Sequence, residues 1–214
     1  VSSQMISEGK TTPEVIYSGT TAAVKSPGGV ALDNYFVYWL NKAGTSQAGT
    51  LNRGLQYATA RSLQNASKGV QMLADNALKC YGVCLAGENI FYTDESAKLY
   101  GINRAATSRH MVTTVSSQLQ APRGCVHDGS GTVYVADKMQ NAVFQFASNM
   151  RALEPSRPLA KAADLQGAFG LAIFDADCSR TRHHGGLGRR QGCTTTSPGL
   201  TWTCKGYHSP GLLR

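Results

Sequence analysis

At 214 residues the chain has room for one domain with an appendage, and it can bury a sizeable core without needing a metal or a disulfide. Charged residues make up only 16% and glycine is frequent at 23 residues, which argues against a helical bundle and for an all-β chain rich in turns. No apolar run approaches the roughly 20 residues that a bilayer-spanning helix needs. The net charge of +8 is uneven: residues 1–177 hold 15 Lys and Arg against all 13 Asp and Glu, whereas residues 178–214 hold six Lys and Arg and no acid.

In chain order, the chain starts at Val1 rather than Met, which suggests a removed leader or a trimmed chain, and residues 1–13 read as an N-terminal arm. "EVIYSG" (14–19) reads as an outer-type strand standing before any inner strand. A recurring unit then begins at each of Gly29, Gly82 and Gly124. Each glycine opens a short apolar strand: "GVALD" (29–33), "GVCLA" (82–86) and "GCVHD" (124–128). A turn and a second strand follow: "YFVYWLN" (35–41), "NIFYTDE" (89–95) and "TVYVADK" (132–138). Third stretches are "GTLNRG" (49–54), "KLYGINR" (98–104) and "AVFQFAS" (142–148); fourth stretches are "VQMLA" (70–74), "HMVTTV" (110–115) and "RPLAKA" (157–162). Aromatic and β-branched runs bounded by Gly, Asp, Asn and Pro mark strands, and four per period of roughly 40–50 residues mark a propeller. A fourth glycine, Gly170, opens "GLAIF" (170–174), an inner strand with no complete blade behind it.

The blocks "PGGVALDNYFVYWLN", "YGVCLAGENIFYTDESAKLYGINR" and "APRGCVHDGSGTVYVADKMQNAVFQF" resemble blades of the NHL and YWTD β-propeller group, over residues of about 14 to 175. "YTD" (92–94) and "YWLN" (38–41) are similar to the YWTD signature, and "GTVYVADKMQNAVFQF" to the NHL form. The expected fold is therefore all-β and propeller-like, with three complete four-stranded blades and a split or incomplete fourth spanning 14–177. "EVIYSG" would pair with "GLAIF" to close the ring, with "LTWTC" (200–204) as a further strand of that blade; an open arc with exposed edges is the competing reading. The sequence also resembles, less closely than it does the propeller group, single-domain propellers of unicellular algae, a resemblance that would permit a secreted or plastid-lumen protein docked on a membrane complex.

Residues 178–214 form a basic, Gly-rich tail with no convincing strand pair, expected to be ordered by another chain. Its Arg180, Arg182, Arg189, Arg190, Trp202 and Lys205 are the candidate partner-binding residues, with an acidic protein surface ahead of a charged membrane surface and nucleic acid last. No cofactor is expected. Asp33 and Asp128 occupy equivalent turns, and with His127 they are the candidates for a channel metal such as lactonase and lyase propellers hold. Asn41, Asp94 and Asp137 end equivalent second strands and are expected to bond their turns. Of six cysteines, Cys80 with Cys84 and Cys193 with Cys204 are the candidate disulfides, while Cys84 and Cys125 sit on inner strands where buried free thiols are ordinary. Asn65 in "NAS" is a glycan acceptor by pattern. No nucleophile, zinc-protease or phosphate-loop motif occurs. The functional expectation is a non-enzymatic interaction module, an accessory subunit of a larger assembly. The alternatives are a lactonase-like hydrolase or lyase using the channel, and an RNA-binding NHL module.

Overall fold

The computed structural model describes residues 15–19, 23–42, 49–56, 69–107, 109–148 and 152–173, together with the backbone of 191–196 and 201–206. The chain divides into two compact units, Val1–Ala172 and Ile173–Arg214.

The first unit is built of three four-stranded antiparallel meanders. Blade 1 comprises β1 (Pro27–Leu32), β2 (Phe36–Asn41), β3 (Gly49–Leu55) and β4 (Val70–Ala77). Blade 2 comprises β5 (Cys80–Ala86), β6 (Asn89–Asp94), β7 (Leu99–Asn103) and β8 (Thr113–Ser116), with a 3-10 turn at Arg109–Met111. Blade 3 comprises β9 (Pro122–His127), β10 (Thr132–Asp137), β11 (Ala142–Ala147) and β12 (Ala160–Asp164). In each, the strands lie in sequence order, and the innermost strands stand side by side, β1 against β5 and β5 against β9. That is a propeller arc of three blades.

Strand periodicity explains where the core sits. Alternate residues of each blade face its two neighbours, so the apolar side chains collect in two inter-blade layers. Tyr38, Leu40, Leu51, Leu73, Val83, Ile90, Tyr92 and Ile102 fill the layer between blades 1 and 2. Cys84, Phe91, Leu99, Val115, Val133, Val135 and Phe146 fill the layer between blades 2 and 3. Phe91 meets Phe146 edge-on at 5.1 Å between centroids, and Tyr92 stacks on Tyr100 at 5.2 Å.

The repeat glycines set the distance between blades. A Cβ on Gly29 would stand 2.6 Å from the Tyr81 carbonyl oxygen, and one on Gly124 would stand 2.7 Å from the Phe169 carbonyl oxygen. A Cβ on Gly82 would collide with the Arg123 carbonyl oxygen. Each obstacle is backbone of the next inner strand or segment, which cannot swing aside, so the close approach demands glycine.

Two expected strands are not strands. Residues 15–19 form none; instead Tyr17 stacks on Trp39 at 5.2 Å between centroids, and its hydroxyl donates to the Leu55 carbonyl at 2.8 Å. Residues 170–173 likewise form no strand, although the preceding Phe169 carbonyl accepts from the Gly124 amide at 2.7 Å. A strand needs a partner ladder, and among the described residues neither segment meets one. Among the described residues the fourth blade is thus incomplete, and the first unit is an arc.

The second unit corrects the expectation of a tail without a strand pair. It contains a hairpin of β13 (Gln191–Thr196) and β14 (Thr201–Gly206), in register from Gln191 opposite Gly206 to Thr196 opposite Thr201. "LTWTC" therefore contributes a strand, but one paired with β13.

Candidate functional site

The acidic turn residues are absorbed by the scaffold. Asp94 accepts amide hydrogen bonds from Leu78 (3.1 Å) and Ser96 (3.0 Å), and Asp137 accepts them from Gln120 (2.6 Å), Ala121 (3.1 Å), Met139 (3.1 Å) and Gln140 (3.0 Å). Asn41 accepts from the Lys25 amide at 3.0 Å and donates to the Ala23 carbonyl at 2.7 Å. These three equivalent side chains tie the entry to each inner strand to the end of the second strand of the same blade. Burial pushes the Asp137 carboxyl up, but the amides of Gln120, Gln140 and Ala121 outweigh it and hold the group below the usual carboxylate range.

The candidate metal residues are not brought into one cluster. Asp33 accepts from the amides of Tyr35 (2.8 Å) and Phe36 (2.7 Å) and from the Tyr38 hydroxyl (2.8 Å), and it faces Arg104 of blade 2 at 3.4 Å. Its burial is opposed by these donors, which leave its carboxyl below the usual range. Burial and the Asp33 bond push the Tyr38 phenol up to about 12. Asp128 accepts from the amides of its own turn, Ser130 (2.8 Å), Gly131 (2.9 Å) and Thr132 (2.9 Å), which depress its carboxyl well below the usual range. His127 Nε2 stands 3.8 Å from Asp128, and its Nδ1 accepts from the Gly129 amide at 3.3 Å. Among the described residues no three His, Cys, Asp or Glu side chains group as a metal site.

Cysteine pairing also differs from expectation. Cys84 is bonded to Cys125, Cα to Cα 5.7 Å, and Cys80 is a buried free thiol. A register shift between Cys80 and Val83 turns Cys80 into the layer between blades 1 and 2, while Cys84 faces blade 3. The Cys80–Cys84 pair is therefore excluded, since the two side chains leave opposite faces of one strand. The signal was present in the repeat: Cys84 stands two residues after its glycine and Cys125 one residue after its own, positions of opposite parity on consecutive blades. In the hairpin, the backbone register sets Cys193 opposite Cys204, Trp202 opposite Thr195 and Lys205 opposite Gly192. Asn65, Arg180, Arg182, Arg189 and Arg190 lie outside the described residues.

A column of alternating rings and cations lines the starts of the inner strands. Arg123 lies 4.0 Å from the Tyr81 ring centroid and 6.0 Å from that of Phe169, and Lys42 lies 5.9 Å from Tyr81. Tyr81, Arg123 and Phe169 each directly precede a repeat glycine. It is a structural stitch across blades.

Among the described residues, what remains unpartnered is at the two ends of the arc. Val30 and Leu32 are each 58% exposed, although their equivalents on blade 2 are the 7% exposed Val83 and the half-buried Leu85. Those blade 2 side chains are covered by blade 1. On the open side of blade 1 Tyr17 covers Trp39 and meets Gly54, so the middle strands are sheltered while β1 is bare. At the other end a Cβ on Gly170 would meet nothing within 4 Å, unlike those on Gly29, Gly82 and Gly124. The outer strand tells the same story. β4 is covered by the 3-10 turn, with Arg109 bonded to Asp75 at 2.6 Å. β8 is covered by the segment whose Ser156 and Arg157 amides bond its carbonyls at 3.2 and 2.7 Å. β12 is exposed along its whole length.

Among solved structures, a luciferin-regenerating enzyme is similar to this chain with a TM-score of 0.47 and 13% identity, over 67% of this chain and 48% of that one. A protein of unknown function from Bacteroides thetaiotaomicron matches with a TM-score of 0.38 and 17% identity, over 56% and 30%. The chain thus spans less than half the length of either. No family model and no curated protein matches the sequence.

Proposed function

We propose that this chain is a non-enzymatic interaction module of the NHL/YWTD propeller kind, a subunit that docks through the open ends of its arc. The observation that carries this reading is the bare apolar face of β1, where Val30 and Leu32 stand exposed at positions that the repeat buries or half-buries elsewhere. An open sheet end with apolar side chains is a liability unless a partner covers it. The acidic side chains that metal chemistry would need are already engaged by turns and by Arg104, which favours docking over hydrolysis.

The second unit supplies the charge. Its Arg180, Arg182, Arg189, Arg190 and Lys205, with Trp202, suit an acidic protein surface; near-neutrality of residues 1–177 argues against a nucleic-acid face. The inter-blade disulfide favours an oxidising compartment, secreted or lumenal, and among the described residues no helix is long and apolar enough to cross a membrane.

The test is the native mass of the protein isolated gently from its source, for the wild type and for Val30→Glu/Leu32→Glu. A stable complex that the double variant loses while keeping its own fold by circular dichroism supports the reading. A wild-type chain migrating alone near 22.8 kDa, with lactone or ester turnover dependent on a bound divalent metal, replaces it with the hydrolase.

A further inference from the structure

Within the first unit one contact is made repeatedly: a repeat glycine on one inner strand receives the backbone of the next. Gly29 receives Tyr81 and Val83, Gly82 receives Arg123 and Cys125, and Gly124 receives Phe169 and Gly170. The arc then leaves over one half of that contact at each end. Among the described residues, Gly170 has a receiving face with nothing against it, and β1 has an inserting face with Val30 and Leu32 uncovered.

We propose that these two faces are the halves of a single joint and that its occupant is a second copy of this chain, seated head to tail so that two arcs close one ring. The inference rests on the interaction-module reading and names its partner. A second copy is favoured over an unrelated chain because both complementary halves belong to the same molecule, and because the fit has been made already inside it with the same repeat positions. Unlike surfaces that match head to tail join copies into rings when the rotation closes. Within the chain the inner strands already stand side by side, β1 against β5 and β5 against β9, and the proposed joint continues that series.

The in-chain disulfide supplies a ruler for the joint. Cys84 is the second residue after its glycine and Cys125 the first after its own, and they bond across consecutive blades. The same offsets across the proposed joint are Ala172, exposed, and Val30 of the other copy. Two single variants, Val30→Cys and Ala172→Cys, would be made in the full chain with Cys178, Cys193 and Cys204 replaced by Ser. Each is oxidised alone and after mixing.

The expected result is a covalent dimer in the mixture only, at least about tenfold above either variant alone, together with a native mass twice 22.8 kDa for the unmodified chain. Leu171→Cys mixed with Val30→Cys, of the wrong parity, should cross-link as poorly as the single variants. A monomer with no cross-link in the mixture overturns the proposal. So does an intramolecular bond in the chain carrying both Val30→Cys and Ala172→Cys, which would mean that the arc closes on itself. A monomeric purified chain whose native complex is nevertheless lost with Val30→Glu/Leu32→Glu would sink self-association while leaving the interaction-module reading standing.

Discussion

Thr93 bridges two blades: its hydroxyl accepts the Gly82 amide at 3.0 Å within blade 2 and donates to the Arg123 carbonyl at 2.5 Å in blade 3. Nine residues earlier in sequence, Cys84 makes a covalent link between the same two inner strands. The equivalents of Thr93 are Leu40 and Ala136, which lack a hydroxyl, so this polar bridge is particular to the joint between blades 2 and 3. The covalent tie thus falls on the joint between blades 2 and 3, while the joint between blades 1 and 2 combines apolar packing with the Arg104–Asp33 and Arg109–Asp75 pairs and the bonds of Tyr92 to Asn76 and of Arg53 to the Arg104 carbonyl, both at 2.6 Å.

Removing the covalent tie should weaken the arc without dissolving it. The Cys84–Cys125 link closes a loop of 41 residues' separation, for which a stabilisation of about 2–4 kcal/mol is typical. Cys84→Ala/Cys125→Ala should lose that amount in urea unfolding at neutral pH. Reductant should bring the wild type to the same midpoint and leave the variant unmoved. A wild type indifferent to reductant would mean the bond does not form.

Alkali should destabilise the layer between blades 1 and 2. Burial, and to a smaller extent Asp94, push the Cys80 thiol up to about 12 from an ordinary 9, and burial also raises the phenols of Tyr38, Tyr92 and Tyr100. A folded-state pKa above the unfolded one means that the native state holds its proton longer. The stability this represents is complete below pH 9 and is lost progressively as pH rises towards 12. Urea midpoints between pH 8 and 11 should fall, and Cys80→Ala should fall less steeply above pH 9. Equal slopes would put the alkaline loss elsewhere.

Asp137 should matter most where it is ionised. Asp137→Ala strands the amides of Gln120, Ala121 and Gln140, at a cost of about 2–4 kcal/mol. Its native carboxyl lies below the ordinary value, so its contribution is present above about pH 4 and disappears as pH falls through the folded value. The gap in melting temperature between wild type and variant should therefore close on acidification from pH 6 to 3. A gap that stays constant with pH would assign the loss to packing alone.

How far the sequence carried the fold depends on whether its signals were local. All twelve blade strands begin within three residues of the expected runs, and β1, β5 and β9 each extend back two residues ahead of the expected glycine start. Alternation and turn chemistry are written in neighbouring residues, and the capping roles of Asn41, Asp94 and Asp137 follow from the same pattern. "EVIYSG" and "GLAIF" carry equally good local signals, but their described residues 15–19 and 170–173 form no strands, because a strand is a property of two segments. The pairing of Cys84 with Cys125 was missed for a related reason. Proximity along the chain pointed to Cys80, whereas the bulge in β5 and the stacking of blades decide which thiols meet. The bare face of β1 was legible only as an excess of edges over partners, and its residues emerged from comparing equivalent positions in the finished blades.

The repeat glycines give the sharpest test of the arc as a whole. Alanine at Gly82 would drive its Cβ into the Arg123 carbonyl, with the Cys125 amide at 2.9 Å behind it, so blades 2 and 3 would have to separate. Gly124→Ala would press on Phe169 and Gly170 in the same way. Overpacking of this kind costs about 1–3 kcal/mol when side chains can yield, and backbone yields less. Both variants should therefore unfold at least about 2 kcal/mol sooner in urea, and Gly82→Ala should also move Cys84 away from Cys125 and make the bond easier to reduce. Gly170→Ala meets no neighbour among the described residues and should leave the unfolding free energy of the isolated chain within about 0.5 kcal/mol of the wild type. Equal losses at all three glycines would show that the fourth position is as tightly covered as the others within one chain, and the arc would then be closed.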